Sequence, residues 1–301
     1  MSSTQVARHV QFKHIAFLSD LKSGAEAALS YAADLANWYG AKLVLAHAFE
    51  PEPPLQIPPE PLEDWIGTPT AREEAEQKSR SIISSLALGD AVEGVVLADA
   101  GIAGLMHDLE RRHPDLLVVA THARHGLRKL LEGSVTEEVF RRSTWPVLVL
   151  PPGSMEEQRR AEFRRVLYCT DLSEVAGTGL LYAAGIAEDH GAEFIVLHVD
   201  TDGSAGFSFD RIIDLKKLED WLVEQRHDLS GVMETAEKIV RFGNPAEETV
   251  QAARQLEADL IVLGARGLGS ISGVASHFLG GTAYQVACSA ACPVLIVPHQ
   301  A

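Results

Sequence analysis

The sequence predicts an α/β protein made of two tandem copies of one doubly wound domain, each with a five-stranded parallel sheet. The chain has 301 residues, which suits two compact domains of about 150 residues each. Short apolar runs alternate with longer segments of helical periodicity, as in β-α-β units around a buried parallel sheet. The third observation is an internal repeat, which fixes the number of copies at two.

The repeat appears when the two halves of the chain are aligned. The segment His14-Ile-Ala-Phe-Leu-Ser-Asp-Leu aligns with Arg165-Val-Leu-Tyr-Cys-Thr-Asp-Leu at an offset of 151 residues, the separation of Asp20 and Asp171. His47 and His198 end a second matching block at the same offset. We therefore assign residues 1–152 to a first domain and 163–301 to a second, joined by a polar linker at 153–162.

Each half is expected to follow the order β-α-β-α-β-α-β-α-β. The strands are predicted near residues 14–19, 42–48, 92–98, 116–120 and 147–150, and then near 165–169, 193–199, 236–242, 259–263 and 294–297. The helix after the first strand is amphipathic in both copies, with apolar residues such as Ala28 and Leu29 or Leu180 and Ala184 at helical spacing. The final strands of both copies are apolar, and an apolar strand at a sheet edge needs a partner; if they lie at sheet edges, we expect them to pair with each other in an intramolecular pseudo-dimer. Association of two chains into a homodimer is a further expectation.

Charge, cysteine usage and hydropathy argue against nucleic-acid and membrane partners and indicate a compartment. The formal net charge of −16 would repel a phosphate backbone, so nucleic acid is not an expected partner. The three cysteines form no C-x-x-C pair, which favours a reducing compartment. The chain shows neither a signal peptide nor an apolar run of membrane-spanning length, so we predict a cytoplasmic protein without a membrane partner.

Polar residues follow the first strand of both copies, at the sheet edge where doubly wound folds bind ligands. These are Ser19-Asp20 and Thr170-Asp171. The carboxylates could accept a hydrogen bond from a nucleoside, or they could cap the next helix. Both interpretations stay open on the sequence alone.

Glycines follow the fourth strand of the second copy. Gly264-Ala-Arg-Gly267 ends that strand, and Gly281-Thr282 opens the next helix. Glycine allows the backbone to approach a phosphate closely, and a helix N-terminus supplies N–H donors. A glycine-rich turn with a threonine cap is the simpler alternative.

These features together resemble the universal stress protein family, over nearly the whole chain and twice. The resemblance implies an adenine nucleotide alpha hydrolase-like, Rossmann-like fold and the ATP-binding pattern G-x2-G-x9-G-(S/T). Carried onto the second copy, it implies a nucleotide site, with ATP and Mg as the ligand, formed by Thr170, Asp171, Val199, Gly264, Gly267, Gly281 and Thr282. Thirteen residues, 268–280, separate Gly267 from Gly281 where the family has nine.

The first copy departs from the same pattern in another way. Its spacing of nine residues, 124–132, is regular, but Ala120 and Ala123 stand where the family has glycines. The added Cβ atoms should weaken phosphate binding. A weaker first-domain site is therefore expected, formed by Asp20, Ala48, Ala120, Ala123, Gly133 and Ser134.

Catalysis and metal binding have less support. His122-x-x-His125 lacks a third ligand that the sequence can place, so no metal site is predicted. The chain has neither a Walker phosphate loop nor a nucleophile elbow, and slow ATP hydrolysis is the most activity expected. No catalytic residue is assigned. The sequence leaves two functions: a stress-response protein with a regulatory nucleotide, or a ligand-free scaffold of two paired domains.

Overall fold

The computed structural model of the chain describes residues 10–21, 24–48, 70–86, 91–98, 101–120, 139, 143–151, 161–201, 208–225, 231–265 and 281–298. The described elements of the first half are β1 (His14–Leu18), α1 (Ala25–Tyr39), β2 (Lys42–Ala48), α2 (Ala71–Ser85), β3 (Val92–Ala98), α3 (Gly101–Glu110), β4 (Leu116–Ala120) and β5 (Val147–Leu150). Those of the second half are β6 (Arg165–Thr170), α4 (Ala176–His190), β7 (Glu193–Asp200), α5 (Ser208–Glu224), α6 (Val232–Thr235), β8 (Glu237–Phe242), α7 (Pro245–Gln255), β9 (Leu260–Gly264), α8 (Gly281–Ser289) and β10 (Val294–Val297).

All ten predicted strands are present, and each end lies within one residue of its predicted position. The strands of each half run parallel to one another, in the orders β3-β2-β1-β4-β5 and β10-β9-β6-β7-β8. This confirms the predicted doubly wound α/β fold. One element was not predicted: the short helix α6 lies between α5 and β8.

Local sequence signals set the helix ends. Gly40 and Gly191 terminate α1 and α4 in the left-handed conformation, with φ of 62° and 61°. Asn244 caps α7 by accepting hydrogen bonds from the next backbone N–H groups, and Pro245 follows at the first helical position. Thr70 and Glu73 form a capping box at the start of α2.

Two aspartates, one per half, hold the amino edge of the sheet together. Asp115 Oδ2 accepts hydrogen bonds from the backbone N–H groups of Lys13 and His14 at 2.7 and 2.8 Å. Asp259 Oδ2 does the same for Arg164 and Arg165 at 2.9 and 3.0 Å. Each carboxylate thereby ties the start of one parallel strand to the strand beside it.

The two halves share one ten-stranded sheet. Strands β5 and β10 pair antiparallel, with Leu148 opposite Leu295, and all residues of both strands are buried. The predicted pairing of the final strands is thus confirmed. Buried residues form a core layer on each face: α1 and α4 pack on one face, and α3, α7 and α8 on the other.

Helices α1 and α4 also meet across the boundary between the halves, in an aromatic cluster centred on His190. The His190 ring stacks on Trp38 with a centroid distance of 4.4 Å and an interplanar angle of 9°. His190 Nε2 lies 3.1 Å from the hydroxyl oxygen of Tyr39, and the ring of Phe163 is 4.7 Å away. Burial lowers the pKa of His190 to about 4, although Asp189 and Glu162 raise it in part. His190 is therefore neutral at pH 7.

Candidate functional site

The strand order places a crevice at the carboxyl edge of each half. In the second half β6 lies between β7 and β9. The helix that follows β6, α4, packs on one face of the sheet, whereas α7 and α8 pack on the other. The chain therefore leaves the sheet in opposite directions beside β6, which makes this edge the topological switch point where open α/β sheets bind ligands.

The turn after β6 is held by short polar contacts. Thr170 Oγ1 accepts a hydrogen bond from the Leu172 N–H at 3.0 Å. Asp171 Oδ1 accepts two from Ser173, from its N–H at 3.1 Å and from its hydroxyl at 2.6 Å. Leu172 takes a left-handed φ of 63°, which is unusual for a leucine. The half-buried Asp171 carboxylate is thus fixed at the switch point.

The first copy contains the same turn. Ser19 Oγ accepts a hydrogen bond from the Leu21 N–H at 3.0 Å, and Leu21 has a φ of 55°. Asp20 is half-buried in the position equivalent to Asp171. The sequence repeat therefore extends to a strained backbone conformation, which the sequence alone did not reveal because leucine carries no signal for positive φ.

The two aspartates do not cap the helices that follow them. The N-cap residue of α1 is Gly24 and that of α4 is Val175, and neither of these two residues makes a side-chain capping bond. Of the two interpretations that the sequence left open for Asp20 and Asp171, helix capping is therefore wrong. The carboxylate of Asp171 shapes the turn instead.

The histidines at the ends of β2 and β7 contact the same turns. His47 Nδ1 lies 2.7 Å from the carbonyl oxygen of Ser19, and His198 Nδ1 lies 3.0 Å from that of Thr170. A carbonyl can only accept, so each ring donates from Nδ1. Each histidine thus connects the end of its own strand to the turn of the neighbouring strand.

Strands β7 and β9 complete the second edge. Val199 is half-buried near the end of β7, and Gly264 ends β9 beside Val297. Helix α4 approaches closely here: a Cβ on Gly179 would lie 3.2 Å from the Tyr168 ring and 3.7 Å from the Gly264 backbone nitrogen. The structure thus brings Thr170, Asp171, Val199 and Gly264 to one edge.

The start of α8 supplies the last described part of this region. Gly281 and Thr282 are both exposed in its first turn, and a Cβ on Gly281 would meet no described atom within 4 Å. Gly267 lies outside the described residues, as do Ala123, Gly133 and Ser134 of the first copy and the pair His122 and His125. Asp20, Ala48 and Ala120 of the first copy are half-buried at its carboxyl edge.

The thiol beside the site, that of Cys169, is half-buried. Burial raises the pKa of Cys169 to about 12, and its side chain interacts with Thr249. It packs against the second core layer as a small apolar residue. Within the described ranges, no three His, Cys, Asp or Glu side chains group together as metal ligands would.

A cavity of about 770 Å³ opens at the opposite, amino edge of the second half. Its charged lining is largely engaged in ion pairs, because Arg165 contacts Glu193 at 2.7 Å and Glu257 at 3.1 Å. Arg254 donates to the Ser289 carbonyl. These groups hold the ends of helices and the starts of strands together, so the switch point remains the better candidate site.

Fold and site together define a tandem protein of two doubly wound α/β domains whose carboxyl edges carry matching acidic turns. The profile of the universal stress protein family matches residues 11–151 and 162–298. The chain belongs to the universal stress protein family. None of the helices in the described segments is long and apolar enough to cross a membrane.

Individual relatives agree with this assignment. The chain is 36% identical over 140 residues to a Thermus aquaticus universal stress protein, across 45% of this chain and 98% of the relative. It is 31% identical to universal stress protein YxiE of Bacillus subtilis, across 45% and 99% of the two chains. The crystal structure of a universal stress protein from Archaeoglobus fulgidus superposes with a TM-score of 0.67 at 21% identity, covering 97% of this chain and 98% of that one. The similarity to the Archaeoglobus fulgidus protein extends over both halves of this chain, so the complete two-domain fold occurs in another protein.

Proposed function

We propose that this protein is a cytoplasmic stress-response protein whose second domain, residues 163–301, binds ATP or a related nucleotide. The domain at residues 1–152 is proposed as a weaker site, and 153–162 as the linker. The observation that carries the proposal is the fixed carboxylate of Asp171 at the switch point beside β9. Such a group selects for ribose hydroxyls or an adenine amino group, since a carboxylate accepts hydrogen bonds.

The remaining second-copy residues fit a nucleotide that extends from Asp171 toward α8. Val199 would contact the nucleoside through its backbone, while Gly264, Gly267, Gly281 and Thr282 would surround the phosphates with Mg. Two described features support this fit. The α8 N-terminus presents N–H donors and the positive end of a helix dipole, and the space beside the Gly281 α-carbon holds no described atom.

The nucleotide is proposed as a regulatory ligand. Activating a thiol requires a lowered pKa, whereas burial raises that of Cys169, the cysteine at this edge. His198 donates its Nδ1 hydrogen to a backbone carbonyl and so serves the turn. Binding would instead change the surface or the assembly that a partner recognises.

Calorimetric titration with Mg-ATP tests the proposal. We expect binding by the wild-type protein and its loss in Gly281→Val, because the branched side chain fills space that the phosphates would occupy. Gly94→Val is the matched control: Gly94 also has no described atom within 4 Å of its Cβ position, but it lies on β3 of the first half. Absence of binding heat in the wild-type protein would contradict the proposal and favour the scaffold of paired domains.

A further inference from the structure

We propose that His198 is a positioning residue for the nucleotide site of the second domain, acting on Asp171 through the peptide group that joins it to Thr170. The inference rests on the proposed function and adds to it the residue that sets the geometry of the acidic turn. His198 itself is not placed against the nucleotide.

The first step is the protonation state of the ring. His198 Nδ1 lies 3.0 Å from the Thr170 carbonyl oxygen, which has no hydrogen to give. Nδ1 must therefore carry the hydrogen in this contact. The contact therefore identifies Nδ1 as the ring nitrogen that donates to the Thr170 carbonyl.

The second step is the direction of the peptide group. Thr170 opposes His198 in the last register pair of β6 and β7, and the His198 side chain adds its own contact to the Thr170 carbonyl there. Holding the Thr170 carbonyl toward β7 directs the N–H of Asp171 the other way, because a trans peptide group is planar. The other side is that of β9, where the switch-point crevice lies. His198 thereby sets the orientation of Asp171 relative to the crevice.

The third step is that the arrangement occurs twice. His47 contacts the Ser19 carbonyl in the same way, at 2.7 Å. In each copy the contacted residue lies two positions before a leucine with a left-handed backbone conformation, Leu21 or Leu172. A left-handed leucine is strained and persists only where surrounding contacts impose it. In the second copy those contacts are the His198 bond to Thr170 and the Thr170 bond to the Leu172 N–H. These two hydrogen bonds therefore act on the backbone geometry of the turn and not only on the packing of side chains.

Two amide substitutions test which ring nitrogen of His198 is needed for binding. In His198→Asn the side-chain nitrogen lies about where Nδ1 lies, whereas in His198→Gln it lies about where Nε2 lies. We expect His198→Gln to bind Mg-ATP about tenfold more weakly, the loss that corresponds to one hydrogen bond, and His198→Asn to bind about as tightly as the wild-type protein. His107→Gln, a substitution of an exposed histidine on α3, should leave affinity unchanged.

Urea unfolding of each variant separates positioning from stability. Equal affinities for all folded variants, with a stability loss in His198→Gln, would overturn the proposal and leave His198 a purely structural residue. Wild-type protein that binds no Mg-ATP would overturn the proposed function and this inference with it. Should His198→Gln not fold, exchange of the Nδ1 hydrogen in the wild-type protein decides: Mg-ATP should slow it, and an unchanged rate would contradict the proposal.

Discussion

At the scale of single residues, the acidic turn after the first strand of each half is the feature that matters most. A left-handed leucine costs about 1–3 kcal/mol, and it occurs at the same position in both copies. In the second copy the turn fixes Asp171 with two hydrogen bonds from Ser173. The carboxylate is therefore preorganised, so a ligand would not have to order it on binding.

Asp171→Asn tests the charge on this preorganised group. The substituted amide keeps an oxygen for the Ser173 contacts but loses the negative charge, and a hydrogen bond to a charged group contributes about 1.5–3 kcal/mol. We expect Mg-ATP affinity to fall about tenfold or more by calorimetry, with little change in unfolding. Asp20→Asn in the first copy should have a smaller effect, and an equal effect of the two would contradict the assignment of the main site to the second domain.

The sequence identified the residue types of this site but not their geometry. Asp20 and Asp171 could be located because the repeat aligns them and because each follows an apolar run. The positive φ of Leu21 and Leu172 could not, since it results from hydrogen bonds made after the sheet has formed. The sequence also allowed each aspartate to cap the next helix. Whether its carboxylate reaches the first turn of that helix depends on the backbone conformation of the residues after the strand, which the sequence does not give.

At the scale of secondary-structure elements, the sheet depends on ties between strand ends. Asp259 accepts two backbone hydrogen bonds at the start of β6, and Asp115 does so at the start of β1. The sequence alone assigns these aspartates no role. Their contacts join residues about a hundred positions apart, which no local pattern encodes.

Asp259→Ala should lower the free energy of unfolding by about 1–3 kcal/mol, because it leaves two strand N–H groups without their acceptor. Urea unfolding measures the change. Asp220→Ala removes an exposed carboxylate that pairs with Lys216 on the same helix, and should change stability by less than about 0.5 kcal/mol. Similar losses in the two variants would contradict the strand-tying role.

The packing of α1 on α4 predicts a pH dependence of stability. The pKa of His190 is about 4 in the folded protein against an ordinary 6.5, so between these values the unfolded chain binds a proton that the folded chain does not. Stability from this site is therefore complete above pH 6.5 and decreases as the pH falls toward 4.

His190→Gln provides the comparison. The difference in unfolding free energy between wild-type protein and this variant should be largest near pH 7.5 and should shrink at pH 5. Urea titrations at both pH values measure it, and the shared carboxylates cancel in the difference. If the unfolding free energies of the two proteins changed with pH in parallel, the lowered pKa expected for His190 between Trp38 and Phe163 would be contradicted.

At the scale of the whole molecule, antiparallel pairing of β5 and β10 turns two five-stranded sheets into one of ten strands. The outer edges are then β3 and β8. Both carry charged side chains, Glu93 on one and Glu237, Lys238 and Arg241 on the other, which is typical of edges protected against further pairing. The final strands, whose residues are all buried apolar side chains, therefore pair inside the chain.

Cleavage within the linker tests this arrangement. With a protease site introduced in residues 153–162, the cut halves should sediment together as one particle of the original mass. The buried β5–β10 pair and the aromatic cluster would hold them without a covalent link. Separation of the halves at micromolar concentration would contradict a stable pairing of the two domains.

Most of the fold could be predicted from the sequence because a parallel sheet requires buried apolar runs, and each such run is visible by itself. The pairing of the halves followed from the apolar final strands. The aromatic cluster escaped prediction, since Trp38 and His190 are adjacent only once that pairing has formed. The proposed nucleotide site comes from the resemblance, and the ordered turn at Asp171 is the described feature that supports the proposal.

The stoichiometry of nucleotide binding tests the central claim most directly. Equilibrium dialysis of nucleotide-free protein against labelled ATP with Mg counts sites without depending on binding heat. One nucleotide per chain is predicted, because the second copy keeps its glycines and the first has Ala120 and Ala123 in their place. Two equivalent sites, or none, would contradict the account of one binding domain beside a weaker copy.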